Sequence, residues 1–468
     1  MNYKNFLLVI FSIILCTGCG QNQENPVHPE TTVDITVQTE TNQIEETTEE
    51  ISYEEQSIEI IGSKRPSHEA MPDIEPTKLY DNPSENVKNS KLPRVDIDFT
   101  ENDYKISRHQ SADALVTTKG FTTDIENEPA KINVQGYATA EAAKRPLKIT
   151  FNTEQTIDSE KSTNQYILYA NVYDKTLLHN YVAQDLYSYV TGTDNTICEF
   201  VDVYSNDSYQ GVYTLCNDVT INMFDKDNEI GTSLDKTDYL IEQDFQIYYT
   251  DSNNGVEGTD WFWMKDVDES FKVLSPKSSP THTSYINTYM DNVYKAIVKK
   301  DWTKVQEYID VDSFIDGFMV NEIIKNKDSG HTNVYYVKNE GEKLKFAALG
   351  DCGLAFGSGD DGEPEYELIA ENNFLFNALW DIPPFRTAYI EKFAKNYQDY
   401  ENHMMKTINE ITEKYKESLE NDYIHWETNY NWCTEQMSTM LNYDDQITYM
   451  ESWIRLRMNY LYGQYNNL

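Results

Sequence analysis

The chain of 468 residues carries 79 Asp and Glu against 38 Lys and Arg, a formal net charge of −41, with 39% hydrophobic and 13% aromatic residues. No basic stripe interrupts this acidity, so nothing can neutralise a phosphodiester backbone, and nucleic acid is excluded as a partner. A small phosphorylated ligand is not excluded, because it needs only one or two local cations and a bound metal; most of the charge serves solubility.

Residues 1–18 read as a targeting segment, with Lys4 as its positive start and Phe6 to Leu15 as an apolar run too short to span a membrane. Its end, Leu15-Cys16-Thr17-Gly18-Cys19, resembles a bacterial lipoprotein signal. That resemblance implies cleavage after Gly18, a diacylglycerol on Cys19, and anchorage to the outer face of the cytoplasmic membrane through lipid alone; an ordinary secretory signal is the alternative. Residues 19–92 are rich in Glu, Thr, Gln and Asn with scattered prolines. They cannot bury enough apolar surface to offset their ordering entropy, which predicts a disordered acidic tether.

From Pro93 onward the composition suits two lobes or one elaborated domain. Val95 to Phe99, Ala114 to Thr118 and Ile149 to Asn152 alternate like strands of an antiparallel sheet. Between them, KINVQGYATAEAAKRPLKITFN holds a glycine turn and a basic cluster. Gly136 with Lys144 or Lys148 is a candidate phosphate site, and a polar hairpin with solvated lysines is the plainer reading. Leu177, Tyr181, Val182, Leu186 and Tyr189 then mark an amphipathic helix that Asp174 caps at its start and Gly192 at its end. VDVYSNDSYQGVYTL is a hairpin turning at Ser205 to Ser208. Cys198 and Cys216 flank it, to be paired or to remain free thiols, while Cys352 reads as a packing residue. DYLIEQD places Glu242 and Asp244 on one side of a strand, where they line a solvated face, bind metal or do acid–base work. WFWMK and FKVLSPK look like further strands of the same sheet, and a helical pattern begins at Thr283.

The most informative stretch runs from Phe314 to Gly357. A helical pattern through Phe314, Phe318, Ile323 and Ile324 is followed by a hairpin, Val334 to Lys338 and Leu344 to Leu349, turning at Asn339 to Gly341. The hairpin brings positions 333 and 351 together at its open end, with Asp328 close by. Asn333 and Asp351 offer the hard oxygen ligands that Mg²⁺ prefers, and Asp328 is then placed to handle an attacking hydroxyl. The spacing Asp328-x4-Asn333 is that of the protein-kinase catalytic loop, in which the Asp orients the acceptor and the Asn binds metal. Beyond the hairpin, YIEKFAKNYQDYENHMMKTINEITEKYKESL reads as two or three amphipathic helices whose Tyr and Met stripes form core.

Several ordered segments together resemble the CotH family, the spore-coat-protein-H-like atypical protein kinases. LPRVDIDFTENDYKISRHQSADALVT looks like its opening strands, and QGYATAEAAKRPLKITF resembles its RGNSTW…KKPY…IK segment. YILYANVYDKTLLHNYVAQDLY is similar to its D-x-[ST]-x-x-R-N helix, and YSNDSYQGVYTL and DYLIEQD to its central hairpin and strand. SFIDGFMVNEIIKNKDSGHTNVYYVK…LKFAALGDCGLAFG resembles its catalytic helix, hairpin and WD-x-D signature. The resemblance implies an α+β, reduced protein-kinase-like two-lobed fold, β-rich first and helical last, with the kinase domain over 93–400 and a helical extension of it over 401–468. It also implies transfer of the ATP γ-phosphate to protein hydroxyls on the cell surface or on secreted proteins, with Mg²⁺ or Mn²⁺. By position, Asp328 is its catalytic Asp, Asn333 and Asp351 its metal ligands, and Lys144 its phosphate-binding Lys, with Lys148 as the local alternative and Gly136 as the loop glycine. The chain departs from the family pattern at Gln135, Tyr137, Ala138, His179, Asn217, Gly350 and Gly353. A surface scaffold of the same fold without turnover is the alternative function.

Overall fold

The computed structural model describes residues 75–79, 90–157, 162–193, 198–224, 231–249, 255–358, 365–369, 372–426 and 442–468. The targeting segment, Cys19, Cys433 and most of the predicted tether lie outside the described residues. All described residues belong to one unit, Glu59–Leu468. Part of the tether segment is ordered: Thr77 and Ile106 exchange backbone hydrogen bonds of 3.1 and 2.9 Å, and Leu79 is buried in the neighbouring apolar core. One inward-facing Leu and a two-bond bridge dock this piece despite its polar surroundings.

The strands expected to form one sheet make two separate ones. β1 (Arg94–Phe99), β2 (Ala112–Lys119), β3 (Glu128–Val134), β4 (Leu147–Gln155), β5 (Thr163–Tyr169), β6 (Cys198–Ser205) and β7 (Ser208–Asn217) close a barrel in the order β1-β2-β3-β4-β5-β7-β6. Closure comes from a parallel pairing of β1 with β6, Val95 opposite Val203, which local alternation does not encode. The alternating Val95, Ile97, Val116, Ile132, Ile149, Leu168, Val203 and Leu215 fill the interior. The β6–β7 turn places Asn206 and Asp207 both at positive φ, as a two-residue hairpin requires. Cys198 and Cys216 stand opposite each other as free thiols with sulfurs 3.2 Å apart.

The second sheet has the order β12-β11-β8-β10-β9, from β8 (Tyr239–Gln243), β9 (Trp261–Met264), β10 (Glu269–Ser275), β11 (Val334–Lys338) and β12 (Lys345–Leu349). Tyr239, Ile241, Phe271 and Tyr336 face the helical core, and Leu240, Tyr335 and Val337 lie in a separate cluster on the other face. Glu242 shares that second face by strand alternation.

The helices are α1 (His179–Thr191), the single turn α2 (Gln246–Tyr249), α3 (Pro280–Val298), α4 (Trp302–Tyr308), α5 (Val311–Ile324), α6 (Phe374–Trp380), α7 (Pro383–Trp426) and α8 (Tyr443–Tyr465). The segment expected to break into two or three helices is one helix of 44 residues, α7, because no Gly or Pro interrupts it after its first turn. It runs unbroken through residue 400, and Tyr389, Tyr400, Met404 and Tyr415 are buried along it.

α5 is buried on all sides from Phe314 to Ile324, so its polar residues need partners. Lys392 of α7 pairs with Asp316, and Arg457 of α8 binds the carboxylate and backbone carbonyl of Glu322. The two last helices therefore clamp the helix that leads into the candidate site.

Candidate functional site

α5 ends at Lys325, in the left-handed region at φ 51°, and the chain enters a 3₁₀ turn, Lys327–Gly330, that carries Asp328. Asn326 fixes this turn: its Oδ1 accepts from the Asp328 N–H, and its Nδ2 donates to Asn321 Oδ1 and to the Cys352 sulfur at 3.7 Å. The Asp328 carbonyl accepts from the N–H groups of His331 and Thr332 at 3.0 and 2.9 Å. Gln243 of β8 donates to Gly330 O, and Asn373, at the start of α6, donates to Ser329 O, both at 3.0 Å. His331 Nδ1 lies 3.0 Å from Glu269 Oε1. Backbone and neighbours thus hold Asp328 rigidly, while no side-chain hydrogen bond engages its carboxylate among the described residues. Burial, the charge of Asp351 and that of Asp244 push this carboxyl up to about 7, with Lys327 opposing.

The hairpin delivers the expected juxtaposition. Val334 pairs with Leu349, and the Gly350 N–H donates to Asn333 O at 3.2 Å. Asn333 sits at φ 57°, which Asn tolerates, and a Cβ at position 350 would stand 2.5 Å from Asn333 Cβ. Glycine at 350 is thus the residue that lets Asn333 approach. Asp351 Oδ1 accepts from Asn180 Nδ2 at 3.0 Å and from the Gly353 N–H at 2.8 Å, which leaves Oδ2 available. Burial raises the Asp351 carboxyl above the ordinary range against the effect of these two bonds.

Asn180 is the clamp of this corner. Besides Asp351 it donates to Asn171 Oδ1 and accepts the Cys352 N–H at 2.7 Å. Asp174 is not the N-cap of α1, a place that Leu178 takes, but its carboxylate reaches the helix start and accepts the His179 N–H at 2.7 Å, and the His179 ring reaches Gly353 O at 3.2 Å. His179 therefore holds the chain after Asp351. Cys352 is fully buried and packs, as expected.

The candidate phosphate residues part company. Gly136 turns the β3–β4 loop at φ 81°, where a Cβ would stand 2.2 Å from Thr139 Oγ1. Next to it, Tyr137 donates its hydroxyl to Asp244 Oδ2 at 2.8 Å with Arg108 stacked on its ring, so the loop spans from barrel to second sheet. Lys144 is neither solvated nor free to hold phosphate. Its ammonium is enclosed by Val212 O at 2.6 Å, Asp422 at 2.9 Å and the Tyr213 ring, and burial lowers its proton affinity despite Asp422. Lys148 keeps partial exposure and reaches Asp218 Oδ2 at 2.5 Å. Burial disfavours its charge, but Asp218 overcomes that and its proton affinity rises.

Glu242 accepts from Tyr335 at 2.9 Å, and Asp244 from Tyr137, Thr332 and the Gln246 N–H. Burial and the charge of Asp244 carry the Glu242 carboxyl to about 7, against Lys272 and Tyr335. Sequence reasoning missed Asn180, Gln243, Asn326 and Asn373, all buried amides. Their only signal is amide residues placed where apolar ones would pack.

Among the described residues no three His, Cys, Asp or Glu converge to hold a metal ion. Two carboxylates and an amide, Asp328, Asp351 and Asn333, are what the corner supplies. That set fits Mg²⁺, which takes few protein ligands and completes its shell with waters and phosphate oxygens. Asp328 is raised partly by the charge of Asp351, the repulsion that a cation between them would relieve.

A protein-family model described as CotH kinase protein matches residues 132–461. No curated protein matches the chain.

Proposed function

Because the chain belongs to the CotH kinase family, we propose that it is a lipid-anchored, extracytoplasmic kinase that transfers the γ-phosphate of ATP to Ser and Thr hydroxyls of surface or secreted proteins. Family membership implies ATP and a divalent metal in general terms. On this reading the barrel serves as the first lobe of a reduced kinase-like fold, and the second sheet with its helices as the second lobe.

The observation that carries the reading is Asp328, a carboxyl rigid in its backbone, free of side-chain hydrogen bonds among the described residues, and raised to about 7. A general base works best when its pKa lies near the operating pH. Asp328 orients the acceptor hydroxyl and takes its proton as the new P–O bond forms and the bond to ADP breaks. Lys148 holds phosphate oxygens, and Asp351 with Asn333 would hold the divalent cation, whose charge offsets that of the phosphates. Asp328→Asn should cut kcat by about 10²- to 10⁴-fold while ATP still binds; unchanged turnover would remove Asp328 from the chemistry. The surface scaffold remains as a second reading, supported by the Tyr137 hydroxyl already bound to Asp244 and by glycine at position 353. A scaffold would keep partner binding in Asp328→Ala and show no transfer in either form.

Anchorage rests on Cys19, outside the described residues. Metabolic labelling with a fatty acid should mark the chain and be lost in Cys19→Ala, whereas an unlabelled wild type would leave an ordinary secretory signal.

A further inference from the structure

The barrel is least supported where β6 begins. β1 pairs with β6 only from Asp202 to Ser205, so among the described residues Cys198 to Val201 have β7 alone as a neighbouring strand. Apolar anchorage there is small: Ile167, Tyr169 and Cys216, with Cys198 packed against them, form a cluster apart from the two large cores. A strand end with one neighbour and few apolar contacts opens more readily than the rest of its sheet.

Cys198 is the first residue of β6, and Cys216 is its direct partner on β7. The backbone shows which kind of pair this is. The Asp202 N–H donates to Pro93 O, the Val212 N–H to Asp422 and the Asp218 N–H to Gln165 O, each to a partner outside the β6–β7 pair. The register is unbroken from Cys198 to Val203, so by two-residue alternation the N–H groups of Cys198 and Cys216 also point away from each other's strand. Theirs is therefore a non-hydrogen-bonded pair, in which facing Cα atoms approach to about 4.5 Å and side chains lie closest. A disulfide needs Cα atoms about 4.4–6.8 Å apart. The two sulfurs stand 3.2 Å apart, too close for any atom between them, with Cys216 buried and Cys198 partly exposed. As thiols they gain only a weak S–H···S contact. Cys352, by contrast, has Asn326 Nδ2 and Gly350 O at its sulfur.

We propose that Cys198 and Cys216 are a dithiol site that closes to a cross-strand disulfide, bracing the start of β6 against β7. The oxidant is another disulfide, carried by a small thiol or by an oxidoreductase. The Cys198 thiolate, the more accessible of the two, attacks one oxidant sulfur, and the first oxidant thiol leaves. The Cys216 thiolate then attacks the Cys198 sulfur and expels the second. Two electrons pass from the pair to the oxidant, and the two cysteine protons end on the two thiols released. Such bonds persist in oxidising compartments outside the cytoplasm, which agrees with the targeting segment expected over residues 1–18. Asp218 follows Cys216 by two residues and holds Lys148, so the brace also steadies that pair. Nothing in this depends on the kinase reading.

Burial and the contact with Cys216 push the Cys198 thiol up, which slows exchange in the folded chain. In the test, the full chain in detergent is therefore held at pH 8.5 with oxidised glutathione until its thiol content is constant, beside a sample kept in dithiothreitol. Both are acid-quenched, alkylated and digested without reductant by chymotrypsin, which cuts between the two cysteines at Tyr204 and Tyr209. Mass spectrometry should find the Cys198 and Cys216 peptides joined in the oxidised sample and alkylated in the reduced one. The oxidised chain should melt about 2–4 °C above the reduced chain, and Cys198→Ala/Cys216→Ala should melt alike in both buffers. The mass reading on wild type decides the bond even where that variant fails to fold. Both cysteines alkylated after oxidation, a glutathione adduct left on Cys198, or linkage of either to Cys352 or Cys433 would overturn the site. A bond that forms without raising the melting temperature would overturn its bracing role.

Discussion

Lys144 and Lys148 are four residues apart and each faces an aspartate, but they serve opposite ends. At the junction between barrel and α7, Lys144 and Asp422 keep 3% and 0% of their side-chain exposure, and Asp422 also accepts the Val212 N–H while Trp426 donates to Gln210 O. On β4 and just after β7, Lys148 and Asp218 keep 25% and 12%. The first pair staples the last long helix to the barrel and is closed to any ligand. The second can exchange its partner for another anion, because both of its side chains keep part of their exposure. Residue type and spacing were equal for both lysines, and burial decided which is structural.

Breaking the junction should have the largest effect. Lys144→Met leaves Asp422 charged and buried, which should cost about 3–5 kcal/mol in urea unfolding, with much of it recovered in Lys144→Met/Asp422→Leu. A loss below about 1 kcal/mol would show the junction to be as open as the Lys148–Asp218 pair.

Next in size is a pH effect from two buried carboxyls, Asp328 and Glu242. The Asp328 carboxyl binds its proton more tightly in the folded chain, near 7, than in the unfolded chain, near 3.8. The folded state therefore holds extra protons between these values, and its stability, fully present below the lower one, is lost as pH rises through the upper one. Glu242 acts in the same direction from 4.5 to about 7. In EDTA, melting temperature should fall from pH 5 to pH 8, and Asp328→Asn or Glu242→Gln should each flatten part of that slope. A slope unchanged in both variants would show that neither carboxyl is raised.

The smallest expected change sharpens the contrast from the other side. Lys148→Met should cost only about 1 kcal/mol of stability, since the pair is partly hydrated. Its consequence should appear in nucleotide affinity instead, and a loss as large as that of Lys144→Met would remove the distinction.

Much of the local architecture was legible. Two-residue alternation marked the strands, the Asn206-Asp207 and Asn339 to Gly341 turns marked the hairpins, and the pairing of Val334 with Leu349 follows from that alternation once the turn is placed. Because a hairpin is closed by near neighbours in the chain, Asp328, Asn333 and Asp351 could be gathered from sequence. The division of strands into a barrel and a second sheet was not legible, since β1 meets β6 across more than a hundred residues and both read as ordinary alternating strands. Nor was the unbroken length of α7, which reads as two or three amphipathic helices although no helix breaker divides it after the first turn.

By itself the sequence determined what depends on near neighbours: the hairpins, the α1 C-cap at Gly192, the core stripes, and the carboxylates and amide at the open end of the β11–β12 hairpin. The tertiary structure alone decided what depends on which distant groups exclude water. It enclosed Lys144 with Asp422 from the far end of the chain and left Lys148 partly exposed against Asp218. The raised carboxyls of Asp328 and Glu242 belong with these, because a pKa is set by burial and by charges through space, and neither is written in the order of residues.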